Sequence, residues 1–127
     1  MPTHILAFHK LRLFLRIGCD PRERAFPQPI DIDMEFHLSN LPKGCHTDDL
    51  NDVICYRDIV YAIHSECENQ EFKLIEKLAY FIAQRSMKLA KCRTTDPFTL
   101  IVKVTKVHPP IEHIHEGVSF TCQLNAP

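Results

Sequence analysis

EFKLIEKLAYFIA, at Glu71–Ala83, has the apolar pattern from which the rest of the fold is predicted. Its apolar residues recur at steps of three and four, a spacing that places them on one face of an α-helix. The residues on this face are Phe72, Ile75, Leu78, Ala79 and Ile82. We therefore expect a helix that begins after Asn69, continues to about Ala90 and packs this face against a core.

Glu76 lies at the edge of that apolar face, beside Ile75 and close to Ala79 on the helical wheel. Most glutamates are exposed, and an unpaired buried charge is costly. The simpler interpretation is that the carboxylate reaches solvent or pairs with Lys73 or Tyr80. The alternative is a carboxylate kept at an apolar boundary because it binds something.

Strands are predicted on both sides of this helix, because apolar and polar residues alternate there with a period of two. The clearest alternation puts five apolar residues on one face: Ile30, Ile32, Met34, Phe36 and Leu38. Residues 5–17 and 98–107 alternate in the same way, and a short strand over 118–124 follows Gly117.

A second helix is predicted from Tyr56 to Cys67, after a loop over Ser39–His46 and helix-start signals at Thr47, Asp48 and Asp49. The element order is therefore β-β-α-α-β-β. This order predicts an α+β fold in which a four-stranded antiparallel sheet carries two helices on one face. The open edges of such a sheet invite pairing between chains, which makes an oligomer plausible.

The composition narrows the class of protein. The chain has 127 residues, 45% of them hydrophobic, and we treat residues 1–127 as a single domain. Its net charge of −1 gives no electrostatic case for nucleic acid or an anionic membrane as partner. No apolar run could span a bilayer, and the first residues lack the pattern of a signal peptide. With six cysteines but no CxxC pair, we expect reduced thiols and a cytoplasmic protein.

Three side chains are candidates for proton transfer. Lys106 ends a predicted strand and could be either solvated or a base in a cleft. Tyr56 heads the first helix and could be either a packing residue or a proton donor. Glu23, between Arg22 and Arg24, has the pattern of a solvated loop charge.

A metal site is the other possibility, because the chain has eight histidines. His113 and His115 alternate, with His108 and Glu116 nearby, and such residues suit zinc. The segment follows Pro109-Pro110, however, which is typical of a loop, and no second spaced pair of ligands accompanies it. We therefore expect no metal site.

A set of short motifs occurs in a fixed order along the chain. They are Ile17-Gly18, Glu23, Gln28, Thr47-Asp48-Asp49, Cys55-Tyr56-Arg57-Asp58, Leu74-Ile75-Glu76-Lys77-Leu78-Ala79, Val104-Thr105-Lys106 and Pro109-Pro110-Ile111. Each is weak alone. In this order and spacing, the chain resembles the dihydroneopterin aldolase family of folate biosynthesis, a branch of the tunnelling-fold (T-fold) pterin enzymes. The resemblance covers about Leu11 to Leu124.

The resemblance implies a lyase that cleaves 7,8-dihydroneopterin into 6-hydroxymethyl-7,8-dihydropterin and glycolaldehyde by a retro-aldol step, without a Schiff base, a metal or any cofactor. It implies that Glu76 binds the pterin, with Ile75 beside it, and that Lys106 is the general base. It also implies that Tyr56 protonates the enol intermediate, while Glu23 holds the side-chain hydroxyls or the catalytic water.

The resemblance further implies a homo-oligomer, a ring of four chains often stacked into an octamer. The active sites would lie between subunits, so that Tyr56 and Glu76 come from different chains. Two alternatives stay open at this point. One is the related 2′-epimerase acting on dihydroneopterin triphosphate, an activity that aldolases also share in part. The other is a non-catalytic pterin-binding module on the same fold.

Overall fold

The structure, a computed structural model, describes residues 4–127. Its strands are β1 (His4–Ile17), β2 (Gln28–Leu38), β3 (Glu71–Phe72), β4 (Phe98–Lys106) and β5 (Val118–Ala126). Its α-helices are α1 (Gly44–Thr47), α2 (Tyr56–Glu68) and α3 (Ile75–Lys91). Two short 3₁₀ helices span Glu23–Ala25 and Leu50–Asp52. The predicted β-β-α-α-β-β order is confirmed for the long elements.

The sheet has five strands in the order β3-β1-β2-β4-β5. The four long strands pair antiparallel, as predicted. The fifth, β3, has two residues and pairs in parallel with Arg16 and Ile17 at the end of β1. The prediction of a purely four-stranded antiparallel sheet was therefore incomplete.

The start of the central helix was predicted too early, because its first residues form β3 instead. The N–H of Gly18 donates to the carbonyl of Phe72 over 3.0 Å, which holds this segment extended beside β1. Leu74 is also extended, with φ −124° and ψ 139°, so α3 begins only at Ile75. Phe72 is nevertheless buried and packs against Phe81, which explains why it fits the apolar periodicity of the helix.

Both long helices cover one face of the sheet, as predicted. The buried residues of α2, α3 and alternate positions of β1, β2 and β4 form a single hydrophobic cluster. From α2, the cluster contains Ile59, Ile63 and Cys67. Burial raises the pKa of the Cys67 thiol to about 12, so this cysteine is a protonated core residue.

The segment before α2 contains more structure than the sequence predicted. Residues 44–47 form α1, which overlaps the end of the expected loop. Asp49 does act as a helix-start residue, because its carboxylate accepts the N–H of Asn51 over 2.9 Å, but the helix it caps is the 3₁₀ turn. The α2 helix begins at Tyr56, as predicted.

Candidate active site

Glu23 and Lys106 form an ion pair at one end of the sheet. Lys106 Nζ donates to Glu23 Oε2 over 3.1 Å, and the two side chains are 14% and 17% exposed. Glu23 begins the 3₁₀ turn that follows β1, and Lys106 ends β4. Glu23 is thus largely buried and paired with Lys106, rather than the solvated loop charge that its neighbours suggest.

Gln28 extends this pair into a cluster of three side chains. Its Nε2 donates to Glu23 Oε2 over 3.1 Å and to the carbonyl of Ile17 over 2.7 Å. Among residues 4–127, no donor reaches its Oε1, although that atom is buried. The cluster contains a carboxylate, an ammonium and an amide, which together can bind hydroxyl groups and move protons.

Two glycines make room for these groups. Gly18 has φ +153°, and a Cβ built on it would overlap the carboxylate of Glu23. Gly117 has φ +85°, and a Cβ there would lie 2.6 Å from the carbonyl oxygen of Lys106. Larger residues at either position would displace a site residue and strain the backbone.

Arg24 joins the loop that carries Glu23 to β3. Its Nη1 donates to the carbonyls of Gly18 and Cys19 over 2.7 and 3.1 Å, and its Nε lies 3.6 Å from Glu71 Oε1. The side chain is only 15% exposed. This contact couples the Glu23 loop to the strand that leads into α3.

Glu76 lies in the first turn of α3, next to half-buried Ile75. Because β3 pairs with the last residues of β1, this turn lies at the same end of the sheet as Lys106. Glu76 is exposed in the single chain, which agrees with the simpler of its two interpretations. A carboxylate in the first helical turn is favoured by the helix dipole, and the turn also offers free backbone N–H groups.

Tyr56 lies at the opposite end of the molecule and is 57% exposed. It lines a cavity of about 550 Å³ together with Leu38, Pro97 and Arg93. On β2, Leu38 pairs with Phe98, whereas Ile30 pairs with Lys106. Eight residues of strand at about 3.3 Å each separate these positions, or about 26 Å. Tyr56 therefore cannot meet Lys106 within one chain.

The length of α3 leads to the same separation. Glu76 lies in its first turn, and Lys91, at its end, lines the Tyr56 cavity. Seventeen residues at about 1.5 Å each span about 25 Å. The structure thus places Tyr56 at one end of the sheet. At the other end lie Glu23, Lys106, Ile75 and Glu76.

The histidine-rich segment contributes nothing to this cluster. His108, His113 and His115 are exposed, and His113 has φ +77°. Within residues 4–127, no three His, Cys, Asp or Glu side chains are grouped as a metal ion would require. In the same part of the chain, no helix is both long and apolar enough to cross a membrane.

Sequence reasoning assigned no role to Gln28, which belongs to the cluster, or to Arg24, which lies beside it. Gln28 appeared only as part of a motif, and Arg24 only as a charge flanking Glu23. The one available signal was that Gly18, Glu23 and Gln28 follow at steps of five along the loop. That spacing does not show which atoms meet.

The chain is similar to one family of known proteins over most of its length. The family model described as FolB: Dihydroneopterin aldolase matches residues 6–123. A probable dihydroneopterin aldolase of Chlamydia trachomatis is 30% identical over 116 residues, covering 91% of each chain. The dihydroneopterin aldolase of Methylorubrum extorquens is 31% identical over 103 residues, covering 81% of this chain and 75% of the relative.

Two solved structures have the same fold. The E. coli dihydroneopterin aldolase in complex with neopterin has a TM-score of 0.74 at 24% identity and covers 96% of this chain and 99% of its own. The dihydroneopterin aldolase from Burkholderia thailendensis, bound to guanine, has a TM-score of 0.71 at 16% identity. It covers 95% of this chain and 89% of its own. At these identities the likeness concerns the fold.

Proposed function

The chain belongs to the dihydroneopterin aldolase family, and from that premise we propose how its residues carry out the family's reaction. It is a lyase of folate biosynthesis that cleaves 7,8-dihydroneopterin into 6-hydroxymethyl-7,8-dihydropterin and glycolaldehyde. The observation that carries the proposal is the contact of Glu23 with Lys106, because it joins two residues of the family motif that lie 83 positions apart.

Lys106 is the general base in this proposal. In its neutral amine form it removes the proton of the side-chain hydroxyl, directly or through one water, and the adjacent carbon–carbon bond breaks to release glycolaldehyde. The electron pair of that bond passes into the dihydropterin ring, which leaves an enol. Because the ring accepts the charge, the protein has only to hold the substrate and move protons. Glu23 holds the side-chain hydroxyls or the catalytic water beside Lys106.

Glu76 binds the pterin ring. Its carboxylate accepts one hydrogen bond from the 2-amino group and one from the adjacent ring N–H, a bidentate and charge-assisted contact. Ile75, beside it, contacts the ring. The exposure of Glu76 supports this role, since the carboxylate is open to a ligand. The complexes of two structural relatives with neopterin and with guanine support a ligand that presents such an edge.

Tyr56 of a neighbouring chain protonates the enol. Along β2, about 26 Å separates the residue that pairs with Lys106 from the residue that lines the Tyr56 cavity, and this separation supports a site shared by two subunits. We propose a homo-oligomer with the T-fold arrangement, a ring of four chains that stacks into an octamer. The open outer edge of β5 supports such an assembly.

We also propose that the protein acts in the cytoplasm. All six cysteines are free thiols, as expected for a reducing compartment. Fractionation of cells, with the protein detected by an antibody, tests this location.

Incubation of the purified protein with 7,8-dihydroneopterin and, separately, with its triphosphate tests the function. We expect 6-hydroxymethyl-7,8-dihydropterin and glycolaldehyde from the first substrate. Epimerisation of the triphosphate without cleavage of dihydroneopterin would instead identify the epimerase. Binding without turnover of either compound would identify a pterin-binding module. The family match and the names of the relatives favour the aldolase.

A further inference from the structure

Gln28 contacts Glu23 directly, although the proposed mechanism leaves it without a role. As the first residue of β2, it reaches across to the end of β1. One amide nitrogen, Nε2, donates both to the carbonyl of Ile17 and to the carboxylate of Glu23. Both acceptors are oxygens that cannot donate, so the orientation of the amide is unambiguous.

These contacts give the two carboxylate oxygens of Glu23 different surroundings. Gln28 and Lys106 both donate to Oε2, each over 3.1 Å. The Oε1 atom lies over Gly18, where only a residue without a Cβ leaves it room. The carboxylate is thus held by two hydrogen bonds to Oε2, while Oε1 occupies the space that Gly18 leaves free.

We propose that Gln28 is a positioning residue for the aldol cleavage. By holding Glu23 Oε2 in place, it keeps the carboxylate in contact with Lys106. Without the amide, the Glu23 side chain can rotate about its own bonds, and the alignment of carboxylate and base is lost. This inference rests on the proposed roles of Glu23 and Lys106.

The Oε1 atom of Gln28 supports a role in the site over a role in stability. It is buried, and no donor within residues 4–127 reaches it. Buried polar atoms are normally paired, and an unpaired acceptor is destabilising. A methionine would fill the same space without leaving a buried acceptor unpaired. The amide is therefore explained better by the hydrogen bond of its Nε2 to Glu23.

The variant Gln28→Met tests the proposal, because methionine has a similar length and cannot donate a hydrogen bond. We expect kcat for dihydroneopterin cleavage to fall about 10- to 100-fold, as for a displaced catalytic group. The Kd for 6-hydroxymethylpterin, measured by fluorescence, should stay within about twofold, since Glu76 holds the ring. Gln84→Met, the same change at an exposed position of α3, is the matched control and should change neither quantity.

Three results would overturn the proposal. They are an unchanged kcat, a parallel loss of kcat, pterin affinity and melting temperature, or an additive effect in the double variant. The double variant combines Glu23→Gln with Gln28→Met. If Gln28 acts through the Glu23 carboxylate, adding Gln28→Met to Glu23→Gln should lower kcat little further.

A crystal structure of Gln28→Met separates a failure of this proposal from a failure of the proposed function. We expect the Glu23 carboxylate to leave its contact with Lys106, whatever reaction the protein catalyses. If the contact persists at its original length, Gln28 does not position Glu23. If the wild-type protein does not cleave dihydroneopterin, the proposed function is wrong, and the structure of the variant still decides the role of Gln28.

Discussion

Glu23 Oε2 lies 3.1 Å from Lys106 Nζ, although the two residues are 83 positions apart in the chain. The pair forms because β1 and β4, which lie on either side of β2, finish at the same end of the sheet. Neither residue can therefore be altered without changing the surroundings of the other.

Lys106→Ala should nearly abolish cleavage. Loss of a general base typically lowers kcat about 10²- to 10⁴-fold. The pterin should still bind, because Glu76 is untouched. Single-turnover rates measure the first effect and fluorescence titration with hydroxymethylpterin the second. A variant with normal turnover would show that another group takes the proton.

Glu76→Ala should lose pterin affinity and keep its fold. Two charge-assisted hydrogen bonds disappear, a loss of about 2–4 kcal/mol in binding. The melting temperature should hardly change, because the side chain is exposed. Glu68→Ala, at an exposed end of α2, is the control. A folded Glu76→Ala protein with normal pterin affinity would contradict the assignment.

Tyr56→Phe should separate cleavage from protonation. The enol still forms but is protonated slowly, so the normal product falls while glycolaldehyde continues to appear, and dissolved oxygen oxidises the enol that accumulates to a pterin. Chromatography of the products against standards measures the ratio of glycolaldehyde to 6-hydroxymethyl-7,8-dihydropterin. Equal loss of glycolaldehyde and pterin product would place Tyr56 before bond cleavage instead.

Mixing Tyr56→Phe with Lys106→Ala should restore activity after subunit exchange. Some interfaces then join an intact Tyr56 of one chain to an intact Lys106 of the next. A site built within one chain would stay defective, since every chain carries one of the two changes. If mass spectrometry shows exchange and no activity returns, the shared site is wrong.

Asp31→Asn should lower stability at neutral pH but not in strong acid. Arg12 Nε and Nη2 donate to the two carboxylate oxygens over 2.7 and 3.0 Å, and these hydrogen bonds lower the pKa of Asp31. A carboxyl group whose pKa is lower in the folded state stabilises the fold above its unfolded pKa of about 3.9. That stability disappears as the pH falls through the folded pKa.

The expected loss at pH 7 is about 1 kcal/mol, since Arg12 is half exposed and solvent weakens the pair. Urea unfolding at pH 7 and near pH 2 measures it. Equal differences between wild type and Asp31→Asn at both pH values would show that the ionised pair contributes nothing.

The sequence was sufficient for the long elements because their signals are local. Alternation in 30–38 and the three- and four-residue steps in 75–91 reflect which side chains are buried, and the structure buries them. The start of α3 was misjudged because Phe72 is apolar for a different reason. It is buried by pairing of β3 with β1, a contact between residues 55 positions apart that no local pattern reveals.

The site was predicted less completely, and for a physical reason. The motifs identified Glu23, Glu76 and Lys106, and the structure places all three at one end of the sheet. Geometry among side chains, such as the double hydrogen bond of Gln28, depends on loops whose conformation the composition does not determine. Their roles in catalysis stay predictions.

The placement of Tyr56 and Lys106 at opposite ends has a consequence for stoichiometry. In the proposed assembly each chain would supply one half of two different sites, so the number of complete sites would equal the number of interfaces and not the number of chains. An open row of four chains has three sites, whereas a closed ring of four has four. Specific activity should therefore fall on dilution as rings open, and the last site should be lost only with the last dimer.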